Sequence, residues 1–209
     1  MGSKTNRPKP PAIFADPTNT RFEPAPEVQE WVNNTFIDEN GPLFNEEHIH
    51  LQNADICFLW APGAFAKQGR TVLGQAEQVK FMCSPWQKWR QEQQMKEWFG
   101  HVPAFLITLD ARYCMICEDD EFCALVEHEL YHIAQAKDAF GGPAFTKTGL
   151  PKLEMRSHDV EEFVGVVRRY GVGHPEGRLA QLVEAANKGA EISQISVANA
   201  CGTCLLKVV

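Results

Sequence analysis

Ala124-Leu125-Val126-Glu127-His128-Glu129-Leu130-Tyr131-His132 is the stretch on which the reading of this chain turns. With Phe122 before it and Ile133 after it, its apolar positions recur at helical spacing. The stretch therefore reads as a helix, capped by Asp119 or Asp120, reaching about Asp138 and stopped by Gly141-Gly142-Pro143. His128 and His132 stand four residues apart, about one turn, so both imidazoles project from one face. Two imidazoles so placed can bind one metal ion together, and zinc favours nitrogen donors in a tetrahedral shell. Glu129 is offset around the helix. From there it can act on a metal-activated water as general base without ligating the metal itself.

A catalytic zinc takes three protein ligands and keeps a fourth position open. His158 is the candidate for the third. It lies 158 − 132 = 26 residues beyond His132, after a long loop and just before a further helix. Glu161 and Glu162 compete with it and would give a two-His-one-Glu site. Glu162 also reads as the capping-box partner of Asp159.

Outward from this centre, Ala104-Phe105-Leu106-Ile107-Thr108-Leu109 is the clearest strand. It precedes the histidine helix, and in the zincin folds that such a helix resembles, a strand so placed forms the sheet edge beside the cleft, where an extended peptide can pair with it. Ile56-Cys57-Phe58-Leu59-Trp60 reads as a buried strand, and Val79 and Phe81 mark another within Thr71 to Met82. Helices are expected over Pro26 to Phe36, from Ser84-Pro85 to Phe99 with Gly100 as its stop, from Asp159 to Tyr170, and over Arg178 to Lys188. Trp86, Trp89 and Trp98 fit a helix packed on the sheet. The loop between Gly141 and Met155 is long enough to suggest a functional role, such as covering the site.

Twenty Lys and Arg against 27 Asp and Glu give a net charge of −7, which gains nothing from the phosphate attraction behind non-specific nucleic-acid binding. No apolar run is long enough to cross a bilayer, and residues 1–11 lack the apolar core of a secretory signal. A cytoplasmic protein is expected. Seven cysteines in a chain of this length fit reduced thiols rather than a disulfide scaffold. Residues 1–25, with Pro8, Pro10, Pro11, Pro17 and Pro24, read as a flexible arm, 26–190 as a single domain and 191–209 as a weakly strand-like tail.

The stretch Ala124 to His132, followed by Ser157-His158-Asp159-Val160-Glu161-Glu162-Phe163 and Arg168-Arg169-Tyr170-Gly171, resembles the metallopeptidases found in bacteriophages and prophages. These in turn look like the SprT/Spartan group of zincins. The resemblance covers roughly residues 50–172. It implies an α+β, zincin-like fold with a small mixed sheet packed against helices, and it places His158 as third ligand. SprT-type proteases usually carry added DNA-binding elements, often a zinc ribbon. Here the corresponding region offers only Cys201-Gly202-Thr203-Cys204, too few thiols for a four-cysteine site.

Cys114 and Cys117 form a second such pair, and with Cys201 and Cys204 they could supply four thiolates to a structural zinc. The plainer reading is reduced cysteine packed as a small hydrophobe. His48 and His50 read as polar surface residues, and Tyr131, Tyr170, Arg156 and His174 as possible oxyanion donors among which the sequence does not choose. Three functions follow from these readings. The first is a zinc metallopeptidase acting on protein or peptide substrates through His128, His132, His158 and Glu129. The second is a non-catalytic zinc-bearing phage module for binding, assembly or host inhibition. The third is a DNA-associated protease of the Spartan kind, which the acidic charge disfavours.

Overall fold

The computed structural model describes residues 6–67, 70–160, 167, 171–193 and 201–203. The expected helix from Asp159 to Tyr170, with Glu161 and Glu162, lies almost wholly outside the described residues, as does Cys204.

The architecture is mixed α+β. Strand β1 (Glu23–Pro24) leads into helix α1 (Pro26–Val32), which continues as one π-helical turn over Asn33–Ile37. Pro24 is tolerated because β1 lies at the sheet edge, where a missing N–H costs no ladder bond. Strand β2 (Ile56–Ala61) is buried along its whole length. Its uninterrupted apolar run is explained by helices on both faces of the sheet. A hairpin of β3 (Phe65–Lys67) and β4 (Arg70–Val72) and then β5 (Gly74–Gln78) follow. Helix α2 (Pro85–Phe99) comes next. Its first turn takes Pro85, and Gly100 ends it at φ 78°, a left-handed conformation that glycine adopts without strain. Strand β6 (Phe105–Asp110), helix α3 (Ala111–Ile116) and helix α4 (Asp119–Tyr131) complete the centre. Beyond them are β7 (Ile133–Gln135), β8 (Leu153–Met155) and α5 (Arg178–Lys188).

The main sheet has the order β1-β2-β6-β5. β2 and β6 are parallel, with Ile56 opposite Phe105, and β1 and β5 run antiparallel to their neighbours. One face carries Phe58, Trp60, Ile107 and Leu109 and packs against Val28, Trp31, Phe122, Leu125 and Val126 of α1 and α4. The other face carries Cys57, Leu59 and Leu106 and packs against Met95, Trp98 and Phe99 of α2. No helix among the described residues is long and apolar enough to cross a membrane.

Several expectations change. The strand of residues 104–109 is central rather than at an edge, and β5 is the edge strand that packs against α4. β5 itself comes earlier than Val79 and Phe81, because its register is fixed by pairing Gly74 with Leu109 and Gln78 with Phe105. Helix α4 is capped by Glu118, one residue before the expected caps. Glu118 and Glu121 form a capping box in which the Glu118 N–H donates to Glu121 Oε2 at 2.9 Å. It also ends near His132 rather than Asp138. The buried, β-branched Ile133 begins β7, which pairs with β8 inside what read as a long loop. Trp86 and Trp89 are exposed, and of the three tryptophans only Trp98 packs against the sheet. Residues 6–25 are no loose arm. Phe14 is buried, and the buried Arg7 donates to Asp119 Oδ1 at 2.7 Å, to Cys114 O at 2.8 Å and to Cys117 O at 2.5 Å.

Candidate metal centre

Helix α4 buries Phe122, Leu125, Val126 and Leu130 and turns His128 towards the opposite side, with His132 in its C-cap. The turn after α4 brings β8 back across its end. His132 O accepts from Arg156 N at 2.8 Å, and His132 Nδ1 lies 2.7 Å from Arg156 O. A carbonyl only accepts, so Nδ1 carries the proton and Nε2 keeps its lone pair for a ligand. The same crossing delivers His158. Its Nε2 lies 3.1 Å from His128 Nε2, and the three ring centroids are 5.0, 5.1 and 5.3 Å apart.

A fourth donor joins them. Cys201 Sγ lies 3.1 Å from His132 Nε2, and the donor atoms of His128, His132, His158 and Cys201 all fall within 4.8 Å of one another. In a tetrahedral zinc shell with bonds of about 2.0–2.3 Å, donor atoms are separated by about 3.3–3.8 Å. The cluster has that scale and the donor chemistry zinc prefers. It borders a cleft of about 400 Å³ lined by Glu47, His128, Tyr131, His132, Arg156, Ser157, His158 and Asp159.

Glu129 is fully buried on the β5 side of α4. Its Oε2 accepts from Ala76 N at 2.8 Å and lies 3.3 Å from Thr203 Oγ1 and 3.8 Å from Cys201 Sγ. Its Oε1 is buried with no hydrogen-bond partner among the described residues. Burial pushes the carboxyl up to about 8, Cys201 adds to the rise, and the neighbouring His128 and His132 oppose it. Gly74 makes this approach possible: a Cβ there would sit 2.9 Å from Glu129 Oε1 and 3.0 Å from Leu125 Cδ1.

The structure thus brings together His128, His132, His158 and Glu129. Glu161 and Glu162 lie outside the described residues. Of the oxyanion candidates, Tyr131 and Arg156 line the cleft, His174 does not, and Tyr170 is not described. Cys201 is the residue whose place sequence reasoning missed. It groups with the histidines, whereas Cys114 and Cys117 lie beside Arg7, so the shared structural zinc does not form among the described residues. Nothing local to Cys201-Gly202-Thr203 signals this, because the contact joins residues 69 apart. His48 is likewise no surface residue. It is fully buried, stacks edge-on to Tyr131 at 4.6 Å and has Glu127 Oε1 3.5 Å from its Nε2.

A family model described as putative phage metallopeptidase matches residues 29–187. The chain belongs to that family. The match contains α4 and His158 and stops before Cys201. A metallopeptidase family implies a metal ion and protein or peptide substrates, and the histidine–cysteine cluster is a group that can hold such an ion. No curated protein and no solved structure matches the chain.

Proposed function

We propose that this protein is a zinc-dependent peptidase of zincin-like build, related in its site to SprT-type enzymes. His128, His132 and His158 hold the metal, and Glu129 is general base and then general acid. The observation that carries this reading is the convergence of three imidazoles beside a buried carboxylate, one oxygen of which has no hydrogen-bond partner among the described residues. Zinc, when bound, supplies a Lewis acid that acidifies water and polarises a carbonyl. Ala76 N–H holds Glu129 Oε2, which leaves Oε1 to take a proton from water and pass it to the leaving amine. Burial raises the proton affinity of that carboxyl above the ordinary carboxylate range. Tyr131 and Arg156, both on the cleft wall, are placed to donate to a developing oxyanion. The net charge of −7 disfavours a DNA-bound substrate.

Metal analysis and peptide hydrolysis test this together. Wild type is expected to hold about one zinc per chain. Glu129→Gln should keep that zinc and lose roughly 10²–10⁴-fold in hydrolysis. His158→Ala should weaken zinc retention against a chelator. Full activity in Glu129→Gln would remove it as the base, and unchanged zinc affinity in His158→Ala would remove that ligand.

A further inference from the structure

Cys201, Gly202 and Thr203 lie along the outer edge of β5, the last strand of the main sheet, at the place where an extended substrate would pair. Gly202 N–H donates to Gly74 O at 2.7 Å, and Cys201 bridges Gly74 in parallel sense. The Thr203 hydroxyl takes up both main-chain groups of Ala76, accepting from its N–H at 2.8 Å and donating to its carbonyl at 2.7 Å. Each of the three residues suits this position. A Cβ on Gly202 would sit 2.7 Å from Gln75 Oε1 and 2.8 Å from Val72 Cγ1, so only glycine lets the segment come this close. Thr203 shares Ala76 N–H with Glu129 Oε2, which puts the segment against the catalytic carboxylate. Cys201 Sγ completes a four-donor set around the metal position.

Three imidazoles and one thiolate make a closed tetrahedral shell, the kind found in structural sites, whereas catalysis needs the fourth position free. We infer that residues 201–203 are an internal plug. Cys201 takes the metal's fourth position, and Gly202 and Thr203 take the main-chain groups of Gly74 and Ala76, so the enzyme is held latent until the segment leaves. This rests on the peptidase reading above. It also points to Gly74 O and Ala76 O as the substrate's docking groups, with Ala76 N–H staying on Glu129 Oε2, and hence to an extended peptide as substrate.

The test uses the full chain loaded with cobalt(II), whose spectrum reports its ligands, and acetohydroxamate as a probe of an open position. Wild type should show a thiolate-to-cobalt charge-transfer band. Cys201→Ala should keep the metal, lose the band and bind acetohydroxamate at least about tenfold more tightly, since a plug seated in nine chains of ten costs a competitor that factor. Gly202→Val, which leaves the thiol in place but crowds Gln75 and Val72, should weaken the band and tighten acetohydroxamate binding in the same direction. Absence of the band in wild type, its persistence in Cys201→Ala, loss of the metal from that variant, or unchanged acetohydroxamate affinity would each overturn the plug. Casein hydrolysis separates the two readings. An opened, metal-bearing Cys201→Ala with no hydrolysis sinks the peptidase and leaves the plug standing.

Discussion

At the scale of single residues, burial and hydrogen bonding decide which titratable groups carry chemistry and which carry only structure. Outside the site, His101 shows the second case. Its Nε2 lies 2.8 Å from Asp55 Oδ1 and its Nδ1 3.1 Å from Phe99 O, and the Asp55 contact is the main cause that raises its pKa above the usual histidine value. A raised histidine pKa stabilises the fold below the unfolded-state value, and that contribution is lost as pH rises through the folded-state value. Both groups are exposed, so the effect on global stability is small. It should be plain in an NMR titration of the imidazole: His101 is expected to titrate above an unperturbed histidine, and Asp55→Asn should bring it down. A His101 midpoint that Asp55→Asn leaves in place would mean the pair does not form. The convergence of His128 and His132 was legible in the sequence because two histidines one helical turn apart carry their geometry with them. His158 was legible only as a spacing. Cys201 was not legible at all, since what gives it a place is a strand edge supplied by residues far away in the chain.

At the scale of elements, what the sequence concealed was mostly where tertiary pairing overrides local preference. The pattern of α4 runs on past His132 as helix, yet the chain leaves the helix there because Ile133 enters β7 and Arg156 of the returning segment bonds both His132 O and His132 Nδ1. That early stop is what lets the same returning segment bring His158 against the histidine face. The start of α4 is set by the Glu118–Glu121 capping box rather than by Asp119 or Asp120. Glu118→Ala is therefore expected to destabilise the protein by about 0.5–2 kcal/mol, while Asp120→Ala should fall well below that. Denaturant unfolding of the two variants measures the difference, and the reverse order would return the cap to the aspartates. α2 differs again. Its Ser-Pro start and Gly100 stop were readable, but the burial of its tryptophans was not, since Trp86 and Trp89 point to solvent while Trp98 and Phe99 meet the sheet.

Across the whole molecule, the N-terminal stretch ties the layers together. Arg7 reaches Asp119 at the start of α4 and the carbonyls of Cys114 and Cys117 at the end of α3, with its guanidinium 4.8 Å from the Phe122 ring centre. Proline content suggested a loose arm because composition records no long-range partner. Arg7→Ala leaves two buried carbonyls without their donor, and about 1–3 kcal/mol of stability should go with it. Thermal unfolding of that variant checks this, and an unchanged midpoint would show that the N-terminal stretch is not held by Arg7.

The parallel pairing of β2 with β6 has a consequence in time. Ile56 meets Phe105, 105 − 56 = 49 residues later, and the hairpin, β5 and α2 all lie between them. No local hairpin can nucleate that central ladder, so folding must close a long loop before the ladder rewards it, which places this chain among slow folders rather than microsecond ones. During synthesis β2 therefore waits, apolar on both faces and without its central partner, until α2 and β6 have been made. Such an unpaired apolar strand leaves the nascent chain open to aggregation during that interval.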